Sequence, residues 1–347
     1  MNSKSRLLLG LVGCCLAIAY AQHSPTRFDE VVNRPDRKWF MGSVLIARDG
    51  KTVFEKNYGA ANREQHIRIG SATRFRIGSL SKQFTAAAIL MLEDRGKLRT
   101  SDPVRCYLSD APAAWDRITV YNLLTHTSGI PDYVNSPDFD SIKSKQMRPD
   151  EIIRRFRDKP LDFTPGVKED YSNSNYAVLG RIIETVSGRS YAAFMRANIF
   201  QPLAMKDSGV DTGQAQIENE AIGYALDGAD VAPAAYVNMS TCFGAGAIYS
   251  TAEDMLCWEQ GLFGGKLLSP AALRKMTTPF LNGYACGLHV GNIDRRKVIY
   301  HIGGIDGFSS YMAYYPDEKL AVIGLSNVRN RQMAAIVNEL ANRALEQ

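Results

Sequence analysis

Residues 76 to 84, Arg76-Ile77-Gly78-Ser79-Leu80-Ser81-Lys82-Gln83-Phe84, run straight into Thr85-Ala86-Ala87-Ala88-Ile89-Leu90-Met91-Leu92, and Asp94-Arg95-Gly96 closes the stretch. A short polar opening followed by an apolar run of helical length predicts a buried helix whose first turn faces something other than core. Ser79 and Lys82 are three residues apart, so they share one helix face, one turn apart. The apolar run draws that end of the helix into a dry interior. There a lysine loses part of its preference for the charged form, and its pKa falls towards neutrality. A neutral amine beside a hydroxyl can act as its general base, which makes Ser79 a candidate nucleophile. The helix N-terminus adds unpaired N–H groups and a positive dipole end where an oxyanion would form. The plainer alternative is that Ser79 caps a core helix and Lys82 is solvated in its first turn. No other serine in the chain has a lysine three residues later.

With 347 residues the chain can bury a sizeable core, as one large domain or two lobes. Its hydrophobic (45%) and charged (22%) fractions are ordinary, which excludes disorder and fibrous repeats. Lys4 and Arg6 precede an apolar run from Leu7 to Ala19, and Ala19-Tyr20-Ala21 supplies small residues for cleavage before Gln22. Residues 1–21 are therefore expected to be a signal peptide, and the protein to be exported, periplasmic or secreted. Leu11-Val12-Gly13-Cys14 is similar to a lipoprotein processing box, but the apolar run continues past Cys14, which favours simple export over lipid anchoring. No later segment is long and apolar enough to span a bilayer. The basic residues are scattered, so nucleic acid is not an expected partner. Cys106, Cys242, Cys257 and Cys286 are far apart, without Cys-x-x-Cys or His-Glu-x-x-His, so neither a metal site nor a cofactor is expected.

After the leader, Gly42–Ala47 and Thr52–Lys56 flank Asp49-Gly50, a strong hairpin signal. From Leu98 to about Ala234 the pattern is mostly helical. One helix is expected over Asn175–Val186 with Gly188 past its end, and another over Tyr191–Phe200, stopped before Pro202. Thr251 with Asp254 reads as a capping box for a helix through Trp258. Strand patterns return at Gly287–Val290, Lys297–His301, Phe308–Tyr315 and Leu320–Leu325, and a closing helix is expected over about Arg331–Leu345. The fold class is thus α+β. Its antiparallel sheet is built from N- and C-terminal segments and flanked by helices. We expect a single catalytic domain over 22–347, with an α/β lobe (about 22–100 and 235–347) and a helical lobe (about 101–234). Clefts between lobes are where small-molecule sites lie.

Two further stretches carry chemistry. Thr164-Pro165-Gly166 leads into the polar loop Tyr171-Ser172-Asn173-Ser174-Asn175. Its phenol is a proton carrier, and the amide two residues on can hold a lysine or a substrate carbonyl. As plain structure, Asn173 or Asn175 would simply cap the next helix. His301-Ile302-Gly303-Gly304 ends a predicted strand, where glycines let a ligand lie against the backbone and expose an N–H for an oxyanion. The alternative there is a glycine-rich β-connection.

The order Ser-x-x-Lys, Tyr-x-Asn, then a basic residue with Gly two on resembles the serine β-lactamase and penicillin-binding-protein-like family. The closest likeness is to its class C β-lactamase, DD-carboxypeptidase and family VIII esterase branch. Leu123–Tyr133, Phe163–Gly166 and Gly244–Thr251 match the pattern too, so the likeness covers essentially the whole mature chain. It implies a β-lactamase/transpeptidase-like fold in which Ser79 forms an acyl-enzyme, Lys82 helps deprotonate it and Tyr171 shuttles a proton, with either as the base. Asn173 would hold Lys82 or the substrate amide, and the N–H groups of Ser79 and Gly304 would form the oxyanion hole. His126 invites reading as a triad base, but it lies in a segment the family uses structurally. No Gly-x-Ser-x-Gly occurs, which disfavours an α/β-hydrolase.

The third motif departs from Lys-Thr-Gly. His301 stands for the lysine and is mostly neutral near pH 7 unless its surroundings raise its pKa. Ile302 stands for the threonine and removes a hydroxyl donor. Both changes weaken recognition of a substrate carboxylate. The expected activity is therefore that of a serine hydrolase on ester or amide substrates, esterase-like or D-Ala-D-Ala-peptidase-like, ahead of a dedicated β-lactamase. A non-catalytic module sensing peptidoglycan or acyl ligands is the alternative of another class.

Overall fold

The strands Gly42–Arg48 (β1) and Lys51–Tyr58 (β2) form the expected hairpin, turning through Asp49 and Gly50 at φ of 50° and 71°. The structure, a computed structural model, describes residues 26–330 and 332–346; the expected signal peptide and Cys14 lie outside them. Near the other end of the chain come His289–Ile293 (β3), Arg296–Ile305 (β4), Phe308–Tyr315 (β5) and Leu320–Ser326 (β6). All six strands form one antiparallel sheet in the order β3-β4-β5-β6-β1-β2. β1 lies beside β6, from Gly42 opposite Ser326 to Arg48 opposite Leu320.

Both faces of this sheet are covered, which is why β1 and β6 read as continuous apolar runs. Successive side chains point to opposite faces. Val44 and Ile46 pack with Val322 beneath the helix Met333–Leu345, through Ile336, Val337 and Leu340. Leu45 and Ala47 belong with Ile323 and Leu325 to the larger core on the other face. That core holds the helix Ser81–Asp94 (α1), buried at every position from Ser81 to Leu92. Phe84 of α1 stacks on Trp258 with ring centres 3.9 Å apart, locking it to the helix Ala252–Phe263.

Several local expectations change. The helix Asn173–Ser187 (α2) starts two residues earlier than Asn175, after Ser172 in extended backbone, and ends at Gly188 with φ 67°. Beyond Tyr191–Met195, residues Arg196–Phe200 form a wider π-type turn. Thr251 does cap its helix, accepting from Asp254 N–H at 3.2 Å, but the reciprocal half of the box is missing. The Asp254 carboxylate accepts instead from Asp207 N–H (2.8 Å) and Ser208 Oγ (2.7 Å), because tertiary donors reach it better than its own cap. The segment expected to be mostly helical also contains a hairpin, Tyr224–Asp227 with Asp230–Pro233, and Tyr224 and Ala225 pair in parallel with Val328 and Arg329. The four described cysteines are free thiols, and no helix among the described residues is long and apolar enough to cross a membrane.

Candidate active site

Ser79 sits in a 3₁₀ turn, Gly78–Leu80, that leads directly into α1. Lys82, one turn on, is fully buried. Its Nζ lies 3.0 Å from Ser79 Oγ, 2.9 Å from Asn173 Oδ1 and 2.8 Å from the Ala245 carbonyl oxygen. Burial lowers its pKa from 10.5 to about 7, and the nearby Asp132 opposes that only in part. The consequence follows from counting protons. A neutral amine has two N–H donors and one lone pair. Asn173 Oδ1 and the Ala245 carbonyl can only accept, so they take the two donors and leave the lone pair aimed at the serine hydroxyl.

The amide orientation of Asn173 is fixed from its far side. Nδ2 donates to Asp132 Oδ2 at 2.9 Å, which turns Oδ1 to the lysine. Asp132 also accepts from Val134 N–H at 3.1 Å, and burial raises its pKa. Tyr171, two residues before Asn173, puts its ring centre 4.8 Å from Lys82 Nζ, and its phenol lies near enough to Ser79 for that hydroxyl to lower its pKa in part. Burial pushes the phenol well above its usual pKa, so it stays protonated at neutral pH. Ser79, Lys82, Tyr171 and Asn173 thus converge from two places, the 3₁₀ turn with the start of α1 and the loop with the start of α2.

The third motif divides along β4 by the strand's alternation. His301 is 2% exposed and points inward, whereas Ile302 is 46% exposed. Burial and the neighbouring Lys82 hold His301 well below its ordinary pKa, so it supplies no cation. Gly303 faces the Ser79 turn. A side chain there would overlap the Ile77 carbonyl and the Ser310 hydroxyl, which donates to that carbonyl at 2.7 Å. Gly303 therefore allows close packing and does not line the cleft. Gly304 does line it. A Cβ on Gly78 would sit 2.9 Å from Gly304 N, so Gly304 packs against the backbone of the turn that carries Ser79, while a Cβ on Gly304 would overlap the Arg329 guanidinium. The cleft above Ser79 is about 350 Å³, and Asn173, Lys143, Asp306 and Arg329 also line it. Lys143 bridges Asp140 and Asp306 at 2.8 Å each.

Sequence reasoning missed the Ala245 carbonyl, Asp132 and Arg329. The first two lie inside stretches singled out for their pattern, without a signal of their own. Arg329 had none. It is placed by tertiary pairing: Asn327 Nδ2 donates to the Ala60 (3.0 Å) and Ile222 (2.8 Å) carbonyls, and Ser309 Oγ bonds the Asn330 backbone.

Comparison with known proteins fits this geometry. The family described as Beta-lactamase matches residues 33–346. PbpX, a candidate penicillin-binding protein of Bacillus subtilis (strain 168), is 34% identical over 311 residues, 89% of this chain and 76% of PbpX. A penicillin binding protein from Bacillus halodurans superposes with a TM-score of 0.81 at 27% identity, covering 92% of this chain and 99% of its own. A D-amino acid amidase from Ochrobactrum anthropi SV3, complexed with D-phenylalanine, superposes at 0.80 and 26% identity, covering 92% and 97%. The chain belongs to the β-lactamase family and is a serine hydrolase of that family, with its penicillin-binding-protein-like fold.

Proposed function

We propose that this chain is an acyl hydrolase that cleaves amide or ester bonds through an acyl-enzyme on Ser79, with small peptides, amino-acid amides or esters as substrates. The observation that carries this reading is the Lys82 amine, buried, with its pKa lowered to about 7 and its Nζ 3.0 Å from Ser79 Oγ. Lys82 takes the serine proton as Oγ attacks the substrate carbonyl. The N–H groups of Ser79 and Gly304 receive the developing oxyanion. Tyr171, protonated at rest, gives its proton to the departing nitrogen or oxygen, and Lys82 returns the serine's proton to it. Water then hydrolyses the ester on Ser79. The amide-cleaving neighbour supports amide substrates, and the neutral His301 beside the exposed Ile302 weighs against efficient capture of a β-lactam carboxylate. The basic-then-apolar pattern of residues 4–21 supports an exported protein.

Intact-mass analysis tests the reading. The protein and its Ser79→Ala variant are incubated with a short-chain aryl ester, a D-Ala-D-Ala peptide, D-phenylalanine amide and a penicillin, with product release followed in parallel. A transient Ser79-dependent adduct with ester or amide turnover is expected. Rapid penicillin turnover would make it a β-lactamase, a lasting adduct without turnover a sensing module, and no adduct with any of the four would sink the mechanism.

A further inference from the structure

We infer that His126 is the positioning residue that aims the Tyr171 phenol at the leaving group, an inference that rests on Tyr171 being the proton carrier proposed above. The starting point is a residue in an unexpected backbone state. The short helix Val120–Leu124 ends in a Schellman turn: Thr127 N–H reaches the Asn122 carbonyl (2.8 Å) and His126 N–H the Leu123 carbonyl (3.4 Å). The pivot of that turn is left-handed, with φ 55° at His126, where glycine is the favoured residue and a side chain is strained. The chain has placed a histidine there, fully buried.

That histidine grips the Tyr171 loop on both sides of the tyrosine. Its carbonyl accepts Asp170 N–H at 2.9 Å, and its Nδ1 accepts Ser172 N–H at 3.2 Å. The Tyr171 ring packs on the imidazole with centres 4.3 Å apart. The left-handed turn lets one residue present its carbonyl and its ring to the same loop.

The tautomer is fixed by the same contacts. A backbone N–H can only donate, and Asn175 Nδ2 adds a second donor to Nδ1 at 3.1 Å, its Oδ1 being occupied by the Ser128 hydroxyl. Nδ1 therefore carries the lone pair and Nε2 the proton. Nε2–H donates to Tyr284 Oη (3.2 Å), Tyr284 O–H donates to His301 Nε2 (3.2 Å), and His301 Nδ1–H donates to the Ile302 carbonyl (2.8 Å). The chain of donors runs one way through three neutral groups and leaves the His126 acceptor permanently turned to the Tyr171 loop.

The test compares kcat/KM for the ethyl and p-nitrophenyl esters of one acid. Nitrophenolate leaves without a proton and ethoxide does not, so only the ethyl ester needs the phenol. His126→Ala is expected to lower kcat/KM for the ethyl ester roughly 10- to 100-fold, the cost of misplacing a catalytic group by about 1 Å. The nitrophenyl ester should change by less than about threefold. His126→Asn, whose Oδ1 replaces the Nδ1 acceptor and which tolerates left-handed backbone, should restore most of the loss. In a Tyr171→Phe background His126→Ala should cost little more. If His126→Ala does not fold, His126→Gln, which reaches towards Tyr284 without an acceptor for Ser172, takes its place. Equal losses on both esters, no loss on either, or undiminished loss in the Tyr171→Phe background would overturn the inference. An unaffected Tyr171→Phe would remove Tyr171 from the mechanism and this inference with it, while the Ser79 adduct would still stand.

Discussion

Replacing Lys82 by methionine should change how folding stability depends on pH, by an amount the site's own chemistry sets. The amine's pKa is 10.5 in an ordinary setting and about 7 in the fold. Between those values the unfolded chain binds a proton that the folded one refuses, so this group makes the protein more stable as pH rises. Above 10.5 both states are neutral and the group costs nothing. Below 7 both are charged and the cost is complete, about 5 kcal/mol at roughly 1.4 kcal/mol per tenfold change in proton affinity. The same relation gives a cost of about 5 kcal/mol at pH 6 and about 2 kcal/mol at pH 9. Lys82→Met also strands the Asn173 and Ala245 acceptors, at about 1–3 kcal/mol for each buried group, but that penalty does not vary with pH. Urea unfolding of the two proteins from pH 6 to pH 9 should therefore show a stability difference that shifts by about 2–3 kcal/mol, with the native lysine relatively better at pH 9. Titrations of groups away from Lys82 cancel in that difference. A difference flat to within about 0.5 kcal/mol would mean that the amine keeps its ordinary pKa. Lys82 would then be charged at rest and unable to deprotonate Ser79.

Other expectations follow from the same geometry. The acid limb of kcat/KM for an ester should fall near pH 7, set by protonation of Lys82, and a limb below pH 5 in a pH–rate profile would reject that assignment. Gly304→Ala must displace the Arg329 guanidinium or the strand itself, and should lower kcat roughly 10²-fold, as loss of one oxyanion donor does, while the melting temperature shows the fold intact. Asn173→Leu leaves the half-buried Asp132 without its Nδ2 donor, so calorimetry should record a loss of about 1–3 kcal/mol together with a shifted acid limb. Thr251→Ala removes a cap far from the cleft chemistry and should cost about 0.5–2 kcal/mol with unchanged ester turnover.

Much of this was legible in the chain because the relevant signals are local. The Asp49-Gly50 turn, the apolar β1 and β6 and the helix behind Ser79 each follow from a few neighbouring residues, and the order of three short motifs pointed to the family. What stayed hidden depends on partners far away in sequence. Asp254 looked like half of a capping box until Asp207 and Ser208 supplied better donors. Gly303 and Gly304 are adjacent and chemically identical, yet one packs against Ile77 and the other borders the cleft, which only the strand's orientation decides. His126 read as either a triad base or a structural residue. Its left-handed backbone and its hold on both sides of Tyr171 required the fold to be seen.

The place of β1 between β6 and β2 has a kinetic consequence. Ser43 pairs with Leu325, nearly the whole chain away, and the helix Arg27–Val32 packs in the same core as the helix Met333–Leu345. The middle of the sheet is therefore sewn from segments near the two ends of the described residues, and closing so large a loop is slow. During synthesis β1 and β2 must wait for the final strands, and Ser79, although made early, gains its Gly304 neighbour only when β4 arrives. The nucleophile's surroundings are thus completed late, once β4 has been made, and a chain cut short before β6 leaves β1 paired on the β2 side alone.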